Sequence, residues 1–305
     1  MEIIDSAGPR TGSDNSGRRG KHRARYGGAA PDPSPGRAGR NLPAAIGVGV
    51  GLGALVLASL FIWRPAFLGV LAAAVVIGVW EMTRAVEPLK AQPPLPPLII
   101  GGLAMVALAW FAGIEAMFLG LVLTMLAILI WRLGEGPVGY QRDVTSAVLI
   151  AAYVPFLAGF GALMLAPDDG PFRIVATLSA VVLSDTGGYV SGVLFGRHPM
   201  APTVSPKKSW EGFAGSLTAS AVGSAIICTT LLDMALWEGA VFGVVIAIVA
   251  TLGDLGESLL KRDLGVKDMG RLLPGHGGLM DRLDSILLAV PGALWMLSVF
   301  APPPG

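Results

Sequence analysis

Between Asp254 and Asp284 the chain reads DLGESLLKRDLGVKDMGRLLPGHGGLMDRLD, a dense set of charges flanked on both sides by apolar runs. On a helix, Asp254, Glu257, Ser258 and Lys261 recur at i, i+3, i+4 and i+7 and share one stripe. That stripe can bring two carboxylates, a hydroxyl and an ammonium to one anionic ligand through a divalent cation. Gly275, Gly277 and Gly278 around His276 permit a tight turn with positive φ. The next helix opens with Asp281, and Asp284 and Ser285 follow one turn later. Two acidic helix faces joined by a hairpin containing Gly and Lys suit one or two hard divalent ions on oxygen ligands, with phosphates completing the shell. A purely structural account would need every one of these charges to pair within an apolar body. His276 alone is weaker evidence, since a histidine in a glycine turn can simply hydrogen-bond the fold together.

Two upstream stretches belong with this cluster. Asp185 stands inside the apolar run LSDTGGYVSGVLF. A carboxylate near a membrane centre costs about 2.5 to 3.5 kcal/mol, so it should face a partner or a wet cavity. The plain alternative is a hydrogen bond to Ser184, Thr186 or another helix; Gly187, Gly188, Ser191 and Gly192 leave room beside it for a ligand or a second helix. The following segment, GRHPMAPTVSPKKSWEG, gathers Arg197, Lys207 and Lys208 with Ser205 and Ser209. These donors suit phosphate oxygens. Basic residues beside a span also serve as topology anchors.

The elements that must position these groups are membrane helices. Of 305 residues, 53% are hydrophobic and 14% charged, against roughly 25% charged for a soluble domain. The single cysteine, Cys228, excludes a disulfide framework and a Cys-based zinc site. Apolar stretches near the length of a bilayer-spanning helix recur at about 43–62, 66–83, 95–113, 115–132, 144–166, 173–195, 211–232, 239–260 and 282–300. The fold class expected is therefore all-α and polytopic, with about nine transmembrane helices over residues 42–305. Gly47, Gly49, Gly51 and Gly53 lack the strand and distal acidic residue of a dinucleotide loop and read as close helix packing.

Residues 1–41 are rich in Gly, Pro, Ser and Arg and read as a retained, disordered basic tail. A solvated cytoplasmic extension is the simplest reading, and no nucleic-acid partner is expected. With the tail inside, the inner loops hold twelve basic residues and the outer loops only Arg64 and Arg173. That bias supports nine spans with the N-terminus in the cytoplasm and the C-terminus outside, and a compact chain without an organelle-type targeting segment is expected in a bacterial cell membrane. Eight of the twelve fall in the last two inner loops, so the ligand handled there should be anionic.

The residues carry a family resemblance. Ser258-x-Leu260-Lys261-Arg262, Lys267-Asp268-x-Gly270 and Leu273-Pro274-x-His276-Gly277-Gly278-Leu279-x-Asp281-Arg282-Leu283-Asp284 resemble the full signature of phosphatidate cytidylyltransferases, the CDP-diacylglycerol synthases. Ser205-Pro206-Lys207-Lys208-Ser209-Trp210-Glu211-Gly212 is similar to that family's second basic stretch, with Ser209 where Thr is usual. The strong match covers about residues 183–284, the region expected to be catalytic. The resemblance implies CTP and phosphatidate as substrates among membrane lipids, Mg2+ as cofactor in one or two sites, and a homodimer. It also implies catalytic roles for Asp254, Asp281, Lys261 and Asp284. Metal would fall to Asp254, Asp281, Ser258 and Asp185, and substrate phosphates to Ser205, Lys207, Lys208, Ser258, Arg262, Lys267, His276 and Arg282. Glu257 could bind metal or orient its ligands. Related enzymes that use prenol or archaeal ether lipids remain open as alternatives, as does a transporter, although a transporter should show related halves with broken helices.

Overall fold

In the computed structural model, residues 42–270, 272 and 277–302 are described, with side chains from residue 47 onward. The expected tail, residues 1–41, and His276 lie outside them.

The chain is a helical bundle: α1 Leu42–Ile62, α2 Pro65–Ala85, α3 Leu95–Glu135, α4 Tyr140–Ala151, α5 Leu157–Leu165, α6 Gly170–Phe195, α7 Trp210–Leu232, α8 Leu236–Leu264 and α9 Met280–Phe300. Seven apolar helical stretches among the described residues, two of them running on from α2 and joining α4 to α5, are long enough to cross a membrane. The protein is thus a polytopic membrane protein, but nine separate spans are not established. The expected segments 95–113 and 115–132 fall together in α3, which is broken at Gly113, where φ is 80° and ψ is −168°. Gly101 lies against Thr124 and Gly120 against Met105, so the two halves of α3 fold back on each other. Only glycine tolerates that backbone readily. The expected fifth segment is α4 and α5 joined by a π turn, Ala152–Phe156, containing Pro155. A proline ring removes one helical donor and crowds the preceding turn, which accounts for the irregular step.

Local signals set the ends of the elements around the site. Ser209 caps α7 by accepting the Gly212 amide at 3.1 Å. Gly265, at φ 68°, closes α8 in the left-handed conformation just after Lys261 and Arg262, whose charges suit a helix C-terminus. The sequence reading placed a plain loop between α6 and α7. Instead, β1 Pro199–Ala201 and β2 Ser205–Ser209 form a small antiparallel hairpin with Pro199 opposite Ser209.

Helices α6 and α7 meet through small residues. A methyl group on Gly188 would strike Ser216, and one on Gly215 would strike Ser191. Ser216 Oγ donates to Ser184 O at 2.8 Å and Ser220 Oγ to Ala180 O at 3.0 Å, so polar side chains bind the backbones together where lipid offers no competing partner. Large apolar side chains such as Phe111, Val193 and Leu252 are exposed, as a lipid-facing surface requires.

Two arginines counted as loop charges are internal. Arg132 is 4% exposed and pairs with Asp143 at 2.8 Å, while Asp143 also accepts the Gln92 amide at 2.8 Å. Arg173 is 2% exposed, pairs with Asp169 at 2.7 Å and donates to Ala301 O at 2.6 Å. Both tie chain segments together instead of meeting headgroups.

Candidate active site

Asp254, Ser258 and Lys261 share one face of α8, as the spacing requires, with Glu257 buried beside them at 1% exposure. Ser258 Oγ lies 3.4 Å from Asp254 Oδ1. Lys261 Nζ reaches Glu257 Oε2 at 2.6 Å and, across to α9, Asp281 Oδ1 at 3.1 Å. Lys208 Nζ, on β2, reaches Asp254 Oδ2 at 2.6 Å. The two ion pairs fasten the hairpin and α9 to α8.

Asp281 is held on all sides by the protein. Its carboxylate accepts the Met269 amide at 3.0 Å and the Gly278 amide at 2.8 Å in addition to the Lys261 ammonium. Asp284 Oδ1 accepts from Ser285 N at 2.6 Å.

A cavity of about 460 Å³ collects most of the residues singled out in the sequence: Asp185, Lys207, Lys208, Asp254, Lys261, Asp281, Arg282 and Asp284 all line it. Ser205, Ser258, Arg262 and Lys267 instead line a pocket of about 350 Å³, which shares Lys207 and Lys261 with the first. The predicted residues therefore divide into a mixed acidic and basic cavity and an adjoining basic one. Arg262 Nε donates to Val204 O at 3.3 Å, which fixes the second pocket against the hairpin.

The donor chemistry fits a hard divalent cation, because the main cavity presents four carboxylates besides Asp281, namely Asp185, Asp254, Asp268 and Asp284, with the Ser285 hydroxyl, against a single thioether, Met200, in the lining. Among the described residues no three Asp, Glu, His or Cys side chains converge on one point, so phosphate or water oxygens would have to complete any shell.

The sequence pattern of the cytidylyltransferase family matches residues 43–300, from the start of α1 to the end of α9. The chain belongs to that family. It is 42% identical over 279 residues to a phosphatidate cytidylyltransferase of Mycobacterium bovis, covering 87% of this chain and 91% of that protein. A phosphatidate cytidylyltransferase of Mycobacterium leprae is 43% identical over 279 residues, covering 86% and 89%. One from Haemophilus influenzae is 32% identical over 268 residues, covering 78% and 92%.

Lys207 and Lys261 stand on the wall shared by the two pockets. Sequence reasoning missed some contributors. Asp268 lines the main cavity although it was noted only as part of the signature. Glu211 was quoted in SPKKSWEG without a role; its carboxylate accepts the Arg197 and His198 amides at 3.1 and 3.2 Å and meets His198 Nδ1 at 2.5 Å, holding the entry to the hairpin. Glu81 on α2 is fully buried and accepts the Met280 amide at 2.8 Å. A lone acidic residue near the end of an apolar span was its only signal.

Proposed function

We propose that the chain transfers the cytidylyl group of CTP to phosphatidate, forming CDP-diacylglycerol and pyrophosphate at the cytoplasmic face of a cell membrane. The observation that carries this reading is the gathering of Asp185, Asp254, Asp284, Lys207, Lys208 and Arg282 around one cavity in an otherwise apolar bundle. The names of its relatives, at 42% identity over most of the chain, supply the substrates.

In this mechanism a phosphate oxygen of phosphatidate attacks the α-phosphorus of CTP. The new P–O bond forms as the bond to the β-phosphate oxygen breaks, and pyrophosphate leaves with that electron pair. The attacking oxygen is already anionic at neutral pH, so the protein need not supply a strong base. Its work is alignment and neutralisation of charge. Lys207 and Lys261 stand between the two compartments and hold phosphates in either; Arg262 and Lys267 extend that grip on the basic side, Lys208 and Arg282 on the other. Asp254, Asp185 and Asp284, with the nearby Ser258, would hold one or two Mg2+ ions, which supply positive charge between phosphate groups. Asp281 stays a candidate ligand, although its present partners are Lys261 and two amides.

The test is purified protein with labelled CTP, Mg2+ and a panel of lipid phosphates. A labelled CDP-lipid formed with phosphatidate is the expected product. Product formed only with a prenyl or ether-lipid phosphate would replace the acceptor, and no nucleotide-lipid with any acceptor would overturn the reading.

A further inference from the structure

The loop between α8 and α9 has a second anchor that comes from the opposite half of the chain. Glu81 lies 199 positions before Met280, yet its Oε2 accepts the Met280 amide at 2.8 Å, at the first residue of α9. Leu279, at the N-cap of that helix, supplies no side-chain cap of its own. The free amides of a helix start need an acceptor, and a carboxylate there also meets the positive end of the helix dipole. Glu81 is 0% exposed, and its Oε1 has no hydrogen-bond partner among the described residues.

The same carboxylate explains two glycines of the signature. A methyl group built on Gly270 or on Gly278 would collide with the Glu81 carboxylate. At one end of the loop the Met269 amide goes to Asp281 while Gly270 rests on Glu81; at the other the Gly278 amide goes to Asp281 while the Met280 amide goes to Glu81. Each end therefore touches both carboxylates.

We propose that Glu81 is a positioning residue of the active site: it caps α9 from α2 and, packed on Gly270 and Gly278, fixes the loop that presents Asp268, Asp281 and Arg282 to the cavity. The catalytic part of this inference rests on the cytidylyl-transfer reading; the structural part does not.

The experiment uses the full-length protein in detergent and compares Glu81→Ala, Glu81→Gln, Gly270→Ala and the double variant Gly270→Ala/Glu81→Ala. Amide hydrogen exchange over residues 266–282 and steady-state CTP turnover are both read. In Glu81→Ala, exchange in that segment should rise about tenfold while peptides of α6 and α7 keep parental rates, and kcat should fall by about 30-fold, a loss typical of small misplacements in an active site. Glu81→Gln keeps an oxygen for the Met280 amide and should return kcat to within about fivefold of the parent. Gly270→Ala should be as damaging as Glu81→Ala, and the double variant no worse than either, because both disturb one contact. Parental exchange over 266–282 in Glu81→Ala, a Gln variant as impaired as Ala in both readouts, or additive losses in the double variant would each overturn the proposal. An unmutated protein that makes no CDP-lipid would overturn the functional reading alone, since the exchange measurements do not depend on turnover.

Discussion

Lys261 Nζ bridges Glu257 on its own helix and Asp281 on α9, at 2.6 and 3.1 Å. Glu257 is 1% exposed, and this ammonium is its ion-pair partner within the bundle. Removing one partner of a buried pair is far more damaging than removing both. Lys261→Met should therefore destabilise the protein by about 3 kcal/mol, and Lys261→Met/Glu257→Gln should recover most of that loss. Thermal unfolding in detergent checks the stability, and CTP turnover should stay low in both variants because, in the proposed mechanism, Lys261 holds substrate phosphate.

Asp254 and Asp281 should fail in different ways. Among the described residues, Asp254 lines the cavity with its carboxylate reached by Lys208 and Ser258, whereas Asp281 is occupied by Lys261 and by amides of Met269 and Gly278. In the proposed mechanism Asp254 would hold Mg2+, so Asp254→Asn should raise the Mg2+ concentration needed for half-maximal rate by about tenfold or more, as losing one ligand charge weakens a hard-cation site. Asp281→Asn should cut kcat by about 100-fold at every Mg2+ concentration, because it loosens the alignment of the loop. Mg2+ titrations of the two folded variants decide this, and an Asp281→Asn enzyme rescued by excess Mg2+ would make that residue a metal ligand.

Lys207 borders both compartments, and in the proposed mechanism its loss removes one charge-assisted contact to phosphate. Lys207→Ala should raise the KM for CTP about tenfold with little change in expression, in line with about 1.5 kcal/mol for such a contact. An unchanged KM for both CTP and phosphatidate would reduce this lysine to a topology anchor.

The α6–α7 contact should not tolerate growth. A side chain on Gly215 would meet both Ser191 and the Gly187 carbonyl, so Gly215→Val should destabilise by about 2 kcal/mol or more through overpacking. The yield of monodisperse protein and its melting temperature report the effect.

The stripe of Asp254, Ser258 and Lys261 was legible in the sequence because helical periodicity alone puts those residues on one face. The apolar runs likewise announced a membrane bundle. The division into two compartments was not legible, since it depends on how the hairpin strand carrying Lys207 and Lys208 lies across α8, and no local pattern in SPKKS forecasts that pairing. The break between the expected segments 95–113 and 115–132 falls at Gly113, where one residue's backbone turns the chain without the polar break that usually marks a loop. Glu81 escaped notice because its partner is an amide 199 positions away, and backbone groups leave no trace in composition. Arg132 and Arg173 looked like surface anchors for a related reason: a charge that is neutralised internally reads the same as one in water.

The meeting of α6 and α7 through glycine and serine has a consequence for how this enzyme could ever change. Along Gly188, Gly192 and Ser216 the cavity is walled largely by main chain and very small side chains. At Gly188 and Gly212 there is almost no volume to trim and no room to add, so those positions offer natural variation little to work on. New specificity falls instead to the larger uncharged side chains of the same lining, such as Met200 on the hairpin and Phe213 on α7, which carry none of the ion pairs that hold the site together.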